Sequence, residues 1–351
     1  MSNLVENVRK DPPARPRSVC SNGQTPNENS AYQLFEMPAG ETWPGVYASP
    51  GVGLYRAGGF AAPIWRQPRA PTSKMPFLPT EDSYYYPMAY GSDYIPYDPD
   101  PEGVPGSAVA TPHGTISLRL NHKMRVDLTI DRAVRVINFK NNIVIAMNSN
   151  GSACALLHPN GRVHQYGSRV EIMAHDTRGN HKFAKMWYKG VSFTSENCAL
   201  VYLVDSAGTR TTTDNFSDLS QDFSLQVYYS ESRHGMAFIA DAISAIQAAQ
   251  YWVTDEGVEN WIINNVRISQ APDGLVRVAR NSNKYHLRTS AANGTATITT
   301  PFLHCTASMG STSHLFVRRG ERRMHFDGTS FIVRNAGHSA GFDEKTQLKV
   351  F

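Results

Sequence analysis

A mainly β protein is expected from this sequence: an antiparallel meander of hairpins in one or two sheets, one short amphipathic helix, and an extended N-terminal arm rich in proline and tyrosine. Three observations carry that expectation. Of 21 prolines, 17 fall within residues 1–105. Beyond that point, short runs of alternating apolar and polar residues follow one another, as half-buried strands require. The turns between them end repeatedly in Asn-Gly or Asp-Gly, pairs that accept the positive φ of tight hairpins.

The arm, residues 1–105, comes first. Proline fixes φ and removes a backbone donor, so this density forbids a regular sheet or a long helix. A purely solvated tail fits poorly, because such segments are depleted in aromatics. This one carries Trp43, Trp65, Tyr84, Tyr85, Tyr86, Tyr90, Tyr94 and Tyr97 among its rings. It is expected to lie along a partner and insert rings into successive pockets, with the last six tyrosines as candidate partner-binding residues.

The first β unit spans 106–235. Residues 115–130 read as a strand pair, followed by 133–139, 143–147, 153–158, 162–166, 170–174, 185–188, 199–205, 209–213 and 225–229. A helix is expected over 236–251, where six alanines lie among Ile239, Ile243, Ile246 and Gln250 on one face. It would cover a sheet edge or separate two β units. The second unit, 252–351, holds runs at 264–269, 275–280, 285–290, 295–300, 315–318, 323–326 and 330–334. Turns at 148–151, 158–161, 205–208, 271–274, 291–294 and 325–328 all end in glycine.

Composition narrows the function classes. Charged residues make up 18% of the chain, below the roughly 25% of ordinary soluble domains. The arm holds eight basic and eleven acidic residues, net −3, which leaves the body at +7. A basic body favours acidic partners. Cys20, Cys154, Cys198 and Cys305 are too dispersed for a disulfide scaffold or a zinc knuckle. The first residues lack an apolar leader and no run is long enough to span a bilayer, so an intracellular, reducing compartment is expected, with no membrane partner.

The catalytic patterns in the chain are incomplete. Gly337-His338-Ser339-Ala340-Gly341 matches the G-x-S-x-G nucleophile elbow. That motif needs a strand–turn–helix corner with a histidine following it in the chain, and none follows Gly341. His158, His164, His175 and His181 share a region without metal-ligand spacing. Asp127 with Asp131, or Asp255, Glu256 and Glu259, offer carboxylates that spacing cannot place across a sugar bond. No phosphate loop is present. No cofactor, metal or small-molecule substrate is expected, and the chain reads as a non-enzyme. The run Arg318, Arg319, Arg322 and Arg323, near Phe316 and Phe326, is the other candidate partner-binding site. It suits an acidic protein surface or, as the alternative, single-stranded nucleic acid. A β-fold hydrolase is the weakest reading.

The stretch Ala153–Gly167 resembles a strand, His/Tyr-Pro-Asn/Asp-Gly, strand, Tyr repeat found in the β-rich regions of glutamate-rich and sperm-associated axonemal proteins. Ala199–Thr213 and Asn264–Arg280 look like looser copies. The acidic tract of the glutamate-rich members is missing here. The resemblance implies a non-catalytic structural role in a cilium or sperm flagellum, with tubulin or other axonemal proteins as partners. It transfers no individual functional residue.

Overall fold

The computed structural model describes residues 104–351 apart from 177, 282, 311 and 312. Two twelve-stranded sheets form, and in each the strands pair antiparallel in strict chain order. The first holds β1 (Ala108–Ala110), β2 (Ile116–Leu120), β3 (Met124–Leu128), β4 (Val134–Asn138), β5 (Ile143–Met147) and β6 (Ala153–His158). It continues with β7 (Gly161–Tyr166), β8 (Arg169–Ala174), β9 (Lys182–Trp187), β10 (Gly190–Ser195), β11 (Val201–Asp205) and β12 (Gly208–Thr212). The second holds β13 (Gln250–Val253), β14 (Glu259–Ile263), β15 (Val266–Gln270), β16 (Leu275–Arg280), β17 (Tyr285–Ser290) and β18 (Ala296–Thr299). It ends with β19 (His304–Ser308), β20 (His314–Arg319), β21 (Arg322–Phe326), β22 (Phe331–Asn335), β23 (His338–Phe342) and β24 (Leu348–Val350).

The glycine turns do what their sequences require. All six closing glycines adopt positive φ. At Gly161 (φ 152°) a Cβ would lie 2.3 Å from the Met173 carbonyl oxygen on β8, so no other residue fits. Strands β1, β10, β13, β14, β19, β23 and β24 were not anticipated. Leu225–Tyr229, read as a strand, is instead α1 (Ser224–Tyr229). It lies on a sheet face, away from any free edge, so its backbone donors must be satisfied locally, as a helix does. The longer helix is also shorter than expected. A 3₁₀ turn (Met236–Phe238) leads into α2 (Ile239–Gln247), and Gln250 and Tyr251 belong to β13.

The apolar faces of the two sheets pack on each other. Val126, Val136, Ile145 and Leu156 from the first join Val278, Leu287, Ile298 and Val317 from the second in one continuous core. The sheets run side by side along their length: β4 meets β17, β5 meets β18, β10 meets β22 and β12 meets β23. Rim carbonyls left by the hairpins find donors across the gap. Asn138 Nδ2 donates to Ser290 O (3.2 Å), Arg280 Nη2 to Asn148 O (2.7 Å) and Asn335 Nδ2 to Val204 O (3.1 Å). Buried polar groups are expected to be satisfied in this way. After β12 the chain returns to its starting end. There Gly235 N–H bonds His113 O (2.6 Å), and α2 packs on β1, covering that edge strand.

Two buried groups give predictions. Burial pushes the Cys154 thiol up to about 12, with Arg280 opposing, and raises Cys305 as well. Since the thiolate is the nucleophile, native alkylation followed by mass spectrometry should modify the partly exposed Cys198 and spare Cys154 and Cys305 until the protein unfolds. Burial likewise lowers His158 from 6.5 to about 4, against its bond to Gly294 O. Between those values the unfolded chain carries a proton that the folded one does not. The stabilisation is therefore present above pH 6.5 and is lost as pH falls toward 4, on the order of 3 kcal/mol in total. Urea titrations across that window should show the loss, and His158→Asn, which keeps a donor for Gly294 O, should remove the His158 share.

Candidate partner-binding face

With the inner faces consumed by the core, recognition falls to the outer ones. The outer face of the first sheet is covered by its own chain. Residues 213–229 run back across it as a strap. Lys185 Nζ pairs with Asp214 and donates to Asn215 O (2.7 Å). Glu171 accepts the Ser217 N–H (2.9 Å), and Arg162 donates to Leu219 O (2.9 Å) and to Ser220 O. Phe223 stacks on His164 with centroids 4.6 Å apart. Arg135 Nε donates to Ser224 Oγ (3.0 Å) and its guanidinium lies 3.5 Å from Asp222. Val227 of α1 then fills a patch formed by Ile137, Val144 and Leu157. Lys185, Glu171, Arg162 and Arg135 thus meet their partners in the strap, while Asp127 on the same face pairs with Arg125 within the sheet.

No described segment crosses the outer face of the second sheet in this way. Period-two alternation there places basic residues outward in cross-strand register. Arg277 stands opposite Arg288, Arg318 opposite Arg323, and Arg323 opposite Arg334. Arg277, Arg288, Arg318, Arg323 and Arg334 are exposed. No Asp or Glu occupies an outward position on β14–β24; Glu259 points inward and binds Asn121 Nδ2 at 3.0 Å. Neighbouring strands lie about 4.8 Å apart, and like charges set directly opposite are destabilising. Partial burial, then Arg277, pulls the Arg288 guanidinium down, and burial with Arg318 does the same to His304. Beside the Arg318–Arg323–Arg334 row, Phe316, His325 and Ile332 join Arg323 and Arg334 around a depression of about 260 Å³. Gly341 stands opposite Ile332 on β23, where a Cβ would lie 1.9 Å from Phe331 O, so no larger residue fits.

The four arginines singled out in the sequence separate. Arg318 and Arg323 face outward together. Arg319 and Arg322 form the next rung toward the turn, where they donate to Phe302 O and to Tyr188 O, both at 3.4 Å. Arg277, Arg288 and Arg334 complete the basic face and were not picked out. The only signal for them was strand register, which becomes readable once the hairpin turns are fixed. Tyr84, Tyr85, Tyr86, Tyr90, Tyr94 and Tyr97 lie outside the described residues.

The catalytic candidates are dispersed. Ser339 sits on the β22–β23 hairpin opposite Arg334, where the turn residues Ala336 and Gly337 both have positive φ, and no helix follows it. Asp127 accepts from Ser117 Oγ (2.9 Å) and pairs with Arg125 (3.2 Å). A wider cleft of about 830 Å³ beside the strap includes His175, His181, Glu196 and Asp218. Its carboxylates are engaged by backbone: Glu196 accepts the His181 N–H (3.1 Å) and Asp218 the Ser220 N–H (2.8 Å). Among the described residues no three His, Cys, Asp or Glu side chains gather to hold a metal ion, and no helix is long and apolar enough to cross a membrane.

Against known families, the profile of a domain of unknown function, DUF8796, matches residues 106–348, the stretch that folds into the two sheets. The chain belongs to this family. No curated protein matches the sequence. Among solved structures, the wild-type TCP10 domain of Danio rerio CPAP is 11% identical, with 70% of this chain and 98% of that one covered, at a TM-score of 0.19. The G-box domain of the microcephaly protein CPAP is 8% identical over 62% and 97% of the two chains, at 0.17. The Danio rerio domain in complex with a STIL peptide is 9% identical over 68% and 98%, at 0.17. These superpositions are loose.

The arginine row implies a measurable penalty in the free protein. Arg323→Thr removes the middle charge and keeps a β-branched strand former. It should raise stability by roughly 0.5 kcal/mol at low ionic strength, and the gain should shrink with added salt. Paired denaturation curves check both.

Proposed function

We propose that this protein is a non-catalytic intracellular scaffold that binds an acidic, extended segment of a partner protein on the outer face of its second sheet. The supporting observation is the row Arg318, Arg323 and Arg334 on three adjacent strands, with no Asp or Glu at the outward strand positions of that face among the described residues. Facing guanidinium groups repel one another until an anion comes between them, and Arg forks match carboxylates in a planar, bidentate way. The depression at Phe316, His325 and Ile332 adds a place for one apolar or aromatic side chain of the partner. The sequence resemblance to axonemal β-repeat proteins makes tubulin or another axonemal protein in a cilium or flagellum the partner proposed. An acidic tubulin surface has the charge this face lacks.

Co-sedimentation of the full chain with microtubules tests the partner, and titration with polyglutamate tests the acidic chemistry. Arg318→Ala/Arg323→Ala/Arg334→Ala should weaken both by about tenfold or more at low salt, while Arg319→Ala/Arg322→Ala, at the turn, should change little. Polyglutamate binding by the unmodified chain without co-sedimentation on microtubules would remove the axonemal partner. Tighter, salt-dependent binding of single-stranded oligothymidylate than of polyglutamate would favour the nucleic-acid reading instead.

A further inference from the structure

The strap defines the kind of segment that a face of this protein accepts. It is largely irregular chain, and it carries Asp214, Asp218 and Asp222 at four-residue steps over a face presenting Lys185, Arg162 and Arg135. The second sheet presents the cations, and no described segment crosses them. A second segment of matching chemistry exists in the same chain. Residues 75–105 contain six carboxylates, Glu81, Asp82, Asp93, Asp98, Asp100 and Glu102, and no lysine or arginine. The six tyrosines from Tyr84 to Tyr97 lie among them.

We infer that this acidic tyrosine run docks in cis on the basic outer face of the second sheet, so that an acidic partner must displace it. The inference rests on the reading of that face as acid-binding. Reach is sufficient. The chain enters the fold at Gly106, whose N–H bonds Arg119 O (2.8 Å) and where an added Cβ would lie 3.9 Å from Trp261 on β14. From β14 to β22 is eight strand spacings, about 38 Å. An extended proline-rich chain advances about 3.1 Å per residue, so about 13 residues cover that distance. The stretch from Glu81 to Glu102 is longer than this, with slack to round the rim. Its carboxylates relieve the like-charge contacts of the arginine pairs, and a tyrosine ring fits beside Arg323 and Arg334, where cation and ring attract.

Chymotrypsin, which cuts after aromatic residues, tests the docking on the full chain. Cleavage after Tyr84 to Tyr97 should be slow at low salt. It should accelerate about fivefold or more in the Arg318→Ala/Arg323→Ala/Arg334→Ala variant, because cutting tracks the undocked population. Raising salt to about 0.5 M should have the same effect on the unmodified chain. Cleavage after Tyr47, upstream of the acidic run, should not change, and a cooperative circular dichroism melt shows that the variant folds. Equal rates after Tyr84 to Tyr97 in both proteins overturn the inference, as does protection that grows with protein concentration, which indicates docking between copies. If rates are equal while the variant still loses polyglutamate binding, only the cis docking falls. If polyglutamate binding is also unaffected, the acid-binding reading falls with it.

Discussion

An open meander of consecutive strands cannot bury its own apolar face, and each of the two sheets here depends on the other to do so. That single burial organises the molecule. Val126, Val136 and Ile145 have no water-free surroundings except those made by Leu287, Ile298 and their neighbours, and apolar area removed from water is the dominant favourable term in folding. The path of the chain follows. To lay the second sheet over the first from the same end, the chain must travel back from β12 to β1. Its route lies over the outside of the first sheet. The strap, α1 and the α2 cover on β1 are all products of that return journey.

The same route leaves the two outer faces unequal. Over the first sheet, Lys185, Glu171, Arg162 and Arg135 meet strap groups and become part of the structure. On the second sheet the equivalent positions hold arginines that face one another. Arg323 between Arg318 and Arg334 sets like charges opposite one another, and the proposed binding of an anionic segment would relieve that repulsion. The neighbouring Phe316, His325 and Ile332 give that surface shape as well as charge.

Much of this was legible in the chain, for identifiable reasons. Strands such as Ile143–Met147, Ala153–His158, Leu275–Arg280 and Tyr285–Ser290 stand at the residues expected, because the turn glycines fix where each hairpin reverses. Strand β10 escaped because it is short on apolar signal, with Val191 and Phe193 alone marking its inner face. Leu225–Tyr229 escaped because its β-forming residues serve a helix whose one buried side packs on a sheet. For the candidate site, a cluster of four arginines in sequence suggested one unit. Alternation about the β20–β21 turn divides it instead, sending Arg318 and Arg323 outward and Arg319 and Arg322 toward the rim. Which outer face would be covered was not readable at all. Both sheets alternate alike, and only the three-dimensional path of residues 213–235 distinguishes them.

The account stands on the outer face of the second sheet being the one that takes an acidic segment, while the strap covers that of the first. Hydrogen–deuterium exchange of the full chain, with and without polyglutamate at low salt, measures this directly. Slower exchange concentrated on β20–β22, with β4–β9 under the strap unchanged, is the result expected. Protection spread over the first sheet, or none anywhere despite measurable binding, would contradict it.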